Sequence, residues 1–237
     1  MTRLEQTIIA EIERANSIWQ LFTANEKLLV AVSGGKDSLA LYHLLRQYPL
    51  QLAAVHIRLS KGFKIDFLER NNLRDEIEVI ETDIYDEIKA KESNLNTCYL
   101  CSRERRKRIL QFAEKQNIKK IVFGHHRNDV VETLLLNLIF SREVSTLQPK
   151  QVLFAGKFQI IRPFYTLSEK LLYSLQKEKQ WYIEPDRCAE AKSSKREYIR
   201  ELLRKLQKDH PGIDVSDNIF SALQSVKSSF LPFPPKS

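Results

Sequence analysis

The sequence predicts an α/β protein, a doubly wound parallel sheet with a helical C-terminal extension. Three observations carry that prediction. Short continuous apolar runs at residues 28–32, 52–57, 77–80 and 121–123 alternate with stretches of helical periodicity, the order that builds a parallel sheet covered on both faces. The first run stops at Ser33-Gly34-Gly35 and leads straight into a helical pattern, as a buried strand feeding a ligand-binding turn does. From Ser168 onward strand patterning ends and helical periodicity takes over.

The elements follow in order. Leu4, Ile8, Ile9, Ile12, Ile18, Leu21 and Phe22 recur at helical spacing, so the chain opens on an amphipathic packing helix. A strand over 28–32, a helix from Asp37 to about Gln47, a strand over 52–57, a helix over 63–73 and a strand over 77–80 come next. A helix over about 99–116, a strand over 121–123 and a helix over 130–140 complete the alternation. Residues 152–161 read as a hairpin, or a loop and strand, around Ala155-Gly156. Helices are expected over 168–179, 195–208 and 216–228, and three prolines make 230–237 irregular. The expected organisation is an N-terminal helix in 1–25, the α/β unit in 26–166 and a mainly helical segment in 167–237 packing on that unit.

Composition narrows the class. The 237 residues are 43% apolar and 29% charged, with 6 Gly and 8 Pro, which excludes disordered, collagenous and low-complexity chains. No apolar run approaches the roughly 20 residues of a membrane span, and Met1 to Asn16 carries charge where a signal peptide has its apolar core. A cytoplasmic protein without membrane contact is expected.

Ser33-Gly34-Gly35-Lys36-Asp37-Ser38 lies between a buried strand and a helix. Two glycines allow a tight turn and close approach of backbone to an anion, and the helix start favours negative charge. Pyrophosphate suits this turn, while the Walker and Gly-x-Gly-x-x-Gly spacings are both absent. Asp37 beside phosphate calls for a bridging magnesium. The plain alternative is a capped strand-to-helix turn with Ser33 or Asp37 as N-cap.

Three cysteines, Cys98, Cys101 and Cys188, are too few and odd in number for a disulfide framework. They leave inert thiols, a metal site or redox chemistry. Cys98-Tyr99-Leu100-Cys101 opens a helix rich in arginine, which favours thiolate.

The phosphate turn resembles the signature of the N-type ATP pyrophosphatases, the PP-loop enzymes related to adenine nucleotide α-hydrolases, which cleave ATP between the α and β phosphates. Cys98-x-x-Cys101-Ser102-Arg103, Gly124-His125-His126-Arg127-Asn128-Asp129, Ile161-Arg162-Pro163 and the segment 220–226 resemble the tRNA 2-thiocytidine synthetases within that superfamily. The resemblance covers about Glu26 to Leu231. It implies ATP at Ala31, Val32, Ser33, Gly34, Gly35, Lys36, Asp37, Ser38, His56, Gly124, His125 and Arg162, with Arg162 suited to clamp a phosphate. It implies Mg2+ on Asp37 and catalytic roles for Asp37, Asp129 and Arg105. It places Cys98, Cys101 and Cys188 on a [4Fe-4S] cluster whose unligated iron carries sulfur, with zinc as the competing metal. The substrate implied is a cytidine in the tRNA anticodon loop, the sulfur donor a cysteine desulfurase, and the assembly, by family analogy, a homodimer.

Rival readings are a lysidine synthase, which needs no cysteines, a 2-thiouridine synthase, and a cluster-bearing tRNA-binding or redox module without catalysis. The chain departs from the family pattern at Asn128, where an Asp is usual, at Ser141-Arg142-Glu143, where glycines are usual, and in lacking a further cysteine just before Cys188. His56 ends the second strand, where an adenine is expected to sit against backbone groups, so it is read as a backbone contact rather than a chemical group, and His43 and His210 as solvated or packed. The formal charge of +8, from 38 Lys and Arg against 30 Asp and Glu, suits RNA, with basic runs at 103–108, 115–120 and 192–208. Interleaved Glu190, Glu197 and Glu201 make the last run equally a solvated face. Trp181 and Tyr182 suit either base stacking or core packing.

Overall fold

Backbone pairing joins six strands into one sheet in a computed structural model that describes residues 1–91, 97–185 and 194–230. They are β1 (Lys27–Ala31), β2 (Gln51–Arg58), β3 (Glu78–Glu81), β4 (Lys120–Val122), β5 (Lys150–Leu153) and β6 (Phe158–Ile161). Their order is β3-β2-β1-β4-β6-β5. All pairs are parallel except β5 with β6, so the predicted hairpin forms and adds an antiparallel edge. Val30 of β1 sits between Ala54 of β2 and Val122 of β4. The chain winds outward from β1 to β3 and returns to place β4 on the other side of β1. That reversal opens a crevice beyond the carboxyl ends of β1 and β4, where ligands bind in such sheets.

Nine α-helices occur among the described residues: α1 (Arg3–Trp19), α2 (Lys36–Leu45), α3 (Asp66–Arg70), α4 (Ile84–Ala90), α5 (Thr97–Lys115), α6 (Arg127–Leu136), α7 (Glu169–Lys179), α8 (Lys195–Asp209) and α9 (Val215–Ala222). Alternation along β1 divides the core. Leu28 and Val30 face Ile8 and Ile12 of α1, Leu41 and Leu45 of α2, and Leu172 and Leu175 of α7. Leu29 faces the other way with Ile84 of α4 and Ile109 and Ala113 of α5. A third cluster joins Val130 and Val131 of α6 to Ile199 and Leu203 of α8 and to Val215 and Phe220 of α9. None of the helices among the described residues is long and apolar enough to cross a membrane.

Four elements differ from expectation. The helix expected over 63–73 is only α3, because the Phe63 N–H is turned back onto the Ser60 carbonyl and Asn72 adopts φ 54. The short, heavily charged α4 was not expected. α6 starts earlier than 130 and passes after Leu136 into a π-helix at Asn137–Ser141. α9 ends at Ala222 rather than 228, since the polar stretch beyond it has little to bury and Val226 stays 59% exposed. The proline-rich end beyond Phe230 lies outside the described residues.

Candidate active site

The turn after β1 is shaped by two glycines and two serines. Gly34 adopts φ +87, and a Cβ there would lie 2.8 Å from the Phe67 ring, so only glycine fits. Ser33 N–H donates to Ser38 Oγ at 3.0 Å, and Ser38 Oγ donates to the Gly35 carbonyl at 2.9 Å. Gly35, rather than Ser33 or Asp37, is the N-cap of α2 and offers no side-chain cap. The first-turn N–H groups of α2 therefore face the crevice without a capping oxygen, the arrangement that binds phosphate.

The turn after β4 meets this loop directly. A Cβ on Gly124 would lie 2.9 Å from the Asp37 carbonyl oxygen, so the two turns touch backbone to backbone. His126 caps α6, its N–H donating to Asp129 Oδ2 at 3.0 Å. Its Nε2 stands 3.5 Å from Asp129 Oδ2 and 3.7 Å from Asp37 Oδ1. Burial pushes the Asp37 carboxyl up, against the opposing pull of His126 and Lys36. Burial also pushes Asp129 up, but His126, His125, the His126 N–H and Arg196 outweigh it and hold Asp129 down. Neighbouring carboxylates set apart in this way can take different roles. Asp37 Oδ1 is buried and faces Lys36 Nζ at 3.1 Å and His126 Nε2 at 3.7 Å without an aligned hydrogen bond, so it keeps lone-pair capacity that a divalent cation could use in place of the lysine.

Eight of the expected nucleotide-binding residues, Ala31, Val32, Ser33, Asp37, Ser38, His56, Gly124 and His125, line one cavity of about 390 Å³, together with Asp129 and Arg105. Gly34 and Gly35 shape the loop at its edge. His56 Nδ1–H donates to the Val32 carbonyl, 2.8 Å away. Lys36 turns elsewhere, its Nζ lying 2.6 Å from Glu169 Oε1 and 3.1 Å from Asp37 Oδ1. Arg162, expected to clamp a phosphate, is 2% exposed and stands behind His125. Its Nε donates to His125 Nδ1 at 3.2 Å and its other nitrogens to the Gln148 carbonyl and Gln151. β6 points this side chain under the β4 turn, so it supports the wall without forming it.

The helix that carries the two described thiols runs along the same cavity. Cys98 is half-buried and Cys101 buried on the first turn of α5, one turn apart. Ser102, Arg105, Arg106 and Ile109, the next turns of that helix, line the cavity. Among the described residues no three His, Cys, Asp or Glu side chains gather to hold a metal. Cys188 lies outside the described residues. Pro185, three positions before it, lines the cavity, and the Glu184 N–H donates to the Gly34 carbonyl.

A second cavity of about 910 Å³ lies between α6, α7, α8 and α9, and Asp37 and Asp129 belong to both walls. It contains groups the sequence did not single out. Glu132, 5% exposed, accepts from Arg200 Nε at 2.9 Å, while Arg196 reaches Asp129 Oδ1 at 3.4 Å and Thr133 Oγ1 at 3.3 Å. Burial pushes the Glu132 carboxyl up despite these arginines. Asn128, where an Asp is usual, accepts from the Glu169 N–H at 3.3 Å and so caps α7. No local motif announces partners 41 and 68 positions apart. Trp181 and Tyr182 pack against the core, and His43 binds Glu5.

A glycine turn at the switch point of a doubly wound sheet, facing a helix-capped His-Asp pair, defines an ATP-pyrophosphatase-like nucleotide-binding protein. A family model described as a PP-loop domain matches residues 4–206. The tRNA-cytidine(32) 2-sulfurtransferase of Shewanella denitrificans is 30% identical over 97% of this chain and 74% of its own length. That of Alcanivorax borkumensis is 31% identical over 98% of this chain and 84% of its own. The U34-tRNA thiolase NcsA from Methanococcus maripaludis, solved with its [4Fe-4S] cluster, shares the fold with a TM-score of 0.70 at 20% identity, covering 93% of this chain and 79% of that one. The chain belongs to the PP-loop family and, within it, to the tRNA-cytidine(32) 2-sulfurtransferases.

Proposed function

We propose that this chain is an ATP-dependent tRNA thiolase that replaces the C2 oxygen of cytidine 32 in the anticodon loop with sulfur, forming AMP and pyrophosphate. The observation that carries the reading is that one helix, α5, presents Cys98 and Cys101 at its start and Ser102 and Arg105 in the wall of the phosphate-loop cavity. Sulfur and activated nucleotide thus belong to one site.

In this reading the carboxyl ends of β1 and β2 hold the adenosine, with Ala31, Val32 and His56 against it. The N–H groups at the start of α2 take the triphosphate. Asp37 would hold Mg2+ on its Oδ1, displacing the Lys36 ammonium that meets that oxygen at 3.1 Å. Arg105 faces the α-phosphate from α5. Asp129, kept ionised by its histidine and arginine neighbours, orients the base whose C2 oxygen attacks that phosphate and expels pyrophosphate. The adenylated oxygen then leaves as AMP when sulfur attacks C2, so a poor leaving group has become a good one. Lys36 acts through Asp37 and Glu169, and Arg162 through His125. Two adjacent thiols on a helix start rich in arginine, with a third thiol tethered three residues past a cavity residue, suit a [4Fe-4S] cluster, which when bound supplies the sulfur nucleophile. An unpaired loop base reaches such a site without opening a duplex. The sulfur source proposed is a cysteine desulfurase, and the expected assembly is a homodimer, which sedimentation velocity checks.

Nucleoside digests of tRNA from cells with and without the gene test the reading. Loss of 2-thiocytidine alone is expected. Unchanged 2-thiocytidine with loss of lysidine or 2-thiouridine overturns the substrate. Anaerobic reconstitution followed by visible absorption tests the cofactor, and zinc alone would overturn the cluster. Cys188→Ala should abolish thiolation and the cluster's absorption while the melting temperature of the apoprotein stays the same.

A further inference from the structure

Residues 138–144 leave much apolar surface uncovered. Leu138 is 42% exposed, Ile139 50%, Phe140 39% and Val144 81%, and Tyr198 on α8 is 58% exposed. The rings of Phe140 and Tyr198 meet edge to face with centroids 6.4 Å apart. Lys195 Nζ stands 4.8 Å from the centre of the Phe140 ring. The backbone presents this cluster: α6 widens into its terminal π-helix, none of whose residues is buried, and Arg142 then turns the chain at φ 60. Wide turns of this kind recur at functional sites.

The cluster is continuous with the active site. Arg196, next to Lys195, contacts both Asp129 and Thr133. Phe140 follows Asp129 by eleven residues, roughly 16 Å along a helix axis. Apolar side chains exposed together at one place on the surface point to a contact. Exposed rings beside a lysine, with Arg142 two positions after Phe140, suit unpaired bases and their phosphates.

We propose that Phe140, Tyr198 and Lys195 form a platform on which the unpaired nucleotides flanking the target cytidine stack while that cytidine reaches Asp37 and Asp129. The platform rests on the tRNA-thiolase reading and adds where the RNA lies. Charge favours RNA over a second copy of the chain. A two-fold contact through this patch would set Lys195 and Arg142 against their own copies, whereas phosphodiesters neutralise them.

The test uses the full chain and an anticodon stem-loop RNA carrying 2-aminopurine beside the target cytidine, a fluorophore quenched when it stacks. The wild-type protein should bind the RNA and quench the signal. Phe140→Ala and Tyr198→Ala should each weaken binding by about tenfold and lose the quench, with ATP affinity unchanged. Phe140→Leu, which keeps apolar bulk without a ring, should behave like Phe140→Ala, and Phe140→Trp should restore both readouts. Unchanged RNA affinity and quench in Phe140→Leu and Tyr198→Ala overturn the platform. So does a variant that loses self-association while its RNA affinity per chain stays the same. If the quench behaves as expected but cells lacking the gene keep their 2-thiocytidine, the platform stands and the thiolase reading falls. If the wild-type protein does not bind the stem-loop, both fall.

Discussion

The N–H of Glu184 donates to the carbonyl of Gly34 at 3.2 Å, and the carboxylate of Glu184 accepts from the N–H of Phe67 at 3.1 Å. Phe67 is also the ring that a Cβ at position 34 would strike. The phosphate loop, the start of α3 and the strand of chain leading toward Cys188 therefore meet at one point, and a change in the loop is transmitted to both others.

Gly34→Ala should strain this junction twice. A left-handed φ costs an alanine about 1–2 kcal/mol, and the methyl also meets the Phe67 ring. ATP affinity, measured by calorimetry, should fall by tenfold or more, with a lower melting temperature. Adding Phe67→Leu should relieve the collision while the φ cost remains. Unchanged ATP affinity in the single variant would contradict the role given to the loop.

Arg200→Ala should leave Glu132 buried beside its weaker partner Arg196, 3.5 Å away. Because Arg200 is itself 43% exposed and only Glu132 is buried, the loss should be about 1–2 kcal/mol, read by urea unfolding. Glu132→Gln in the same chain should restore most of that stability, because no buried charge is left behind. A double variant as unstable as Arg200→Ala would show that packing, not charge, holds α8 to α6.

Stability should also respond to acid through Glu5. Its carboxylate, 3% exposed, meets Lys179 Nζ at 2.8 Å, His43 Nε2 at 2.6 Å and the Thr2 N–H at 2.6 Å. Burial pushes its pKa up, but these donors prevail and hold it at about 2, below its ordinary 4.5. A lowered carboxylate stabilises above the unfolded value, and that contribution is lost as pH falls toward the folded one. Glu5→Gln should cost about 1–3 kcal/mol at neutral pH, and the gap from wild type should shrink between about pH 5 and 3. A gap that stays constant over that range would contradict the assignment.

His125 should act as a neutral ring. Burial pushes its pKa down, Asp129 opposes, and Arg162, Arg196 and Arg106 add to the fall, which reaches about 4. A group protonated only near pH 4 puts no inflection into ATP binding between pH 6 and 8. His125→Asn should therefore keep ATP affinity within about threefold of wild type across that range, whereas His125→Lys should weaken it. A binding curve that breaks near pH 6.5 in the wild type and is flat in His125→Asn would overturn the neutral assignment.

What could be read in advance was what is local. The run 28–32 and the glycines after it fixed β1, the turn and α2, because a strand buried on both faces and a tight turn have signatures a few residues long. The Glu132–Arg200 and Lys36–Glu169 pairs had none, since each joins helices that meet only after folding. Arg162 misled for a related reason: a basic residue after a strand suggests a phosphate, but the register of β6 against β4 decides which way it points. The polar segment after Ala222 carried helical spacing without a partner to bury it, and the helix ends there.

Asp37 and Asp129 form a shared partition between two openings. A ligand in either cavity therefore meets the same two carboxylates, and a change at one of them is felt in both.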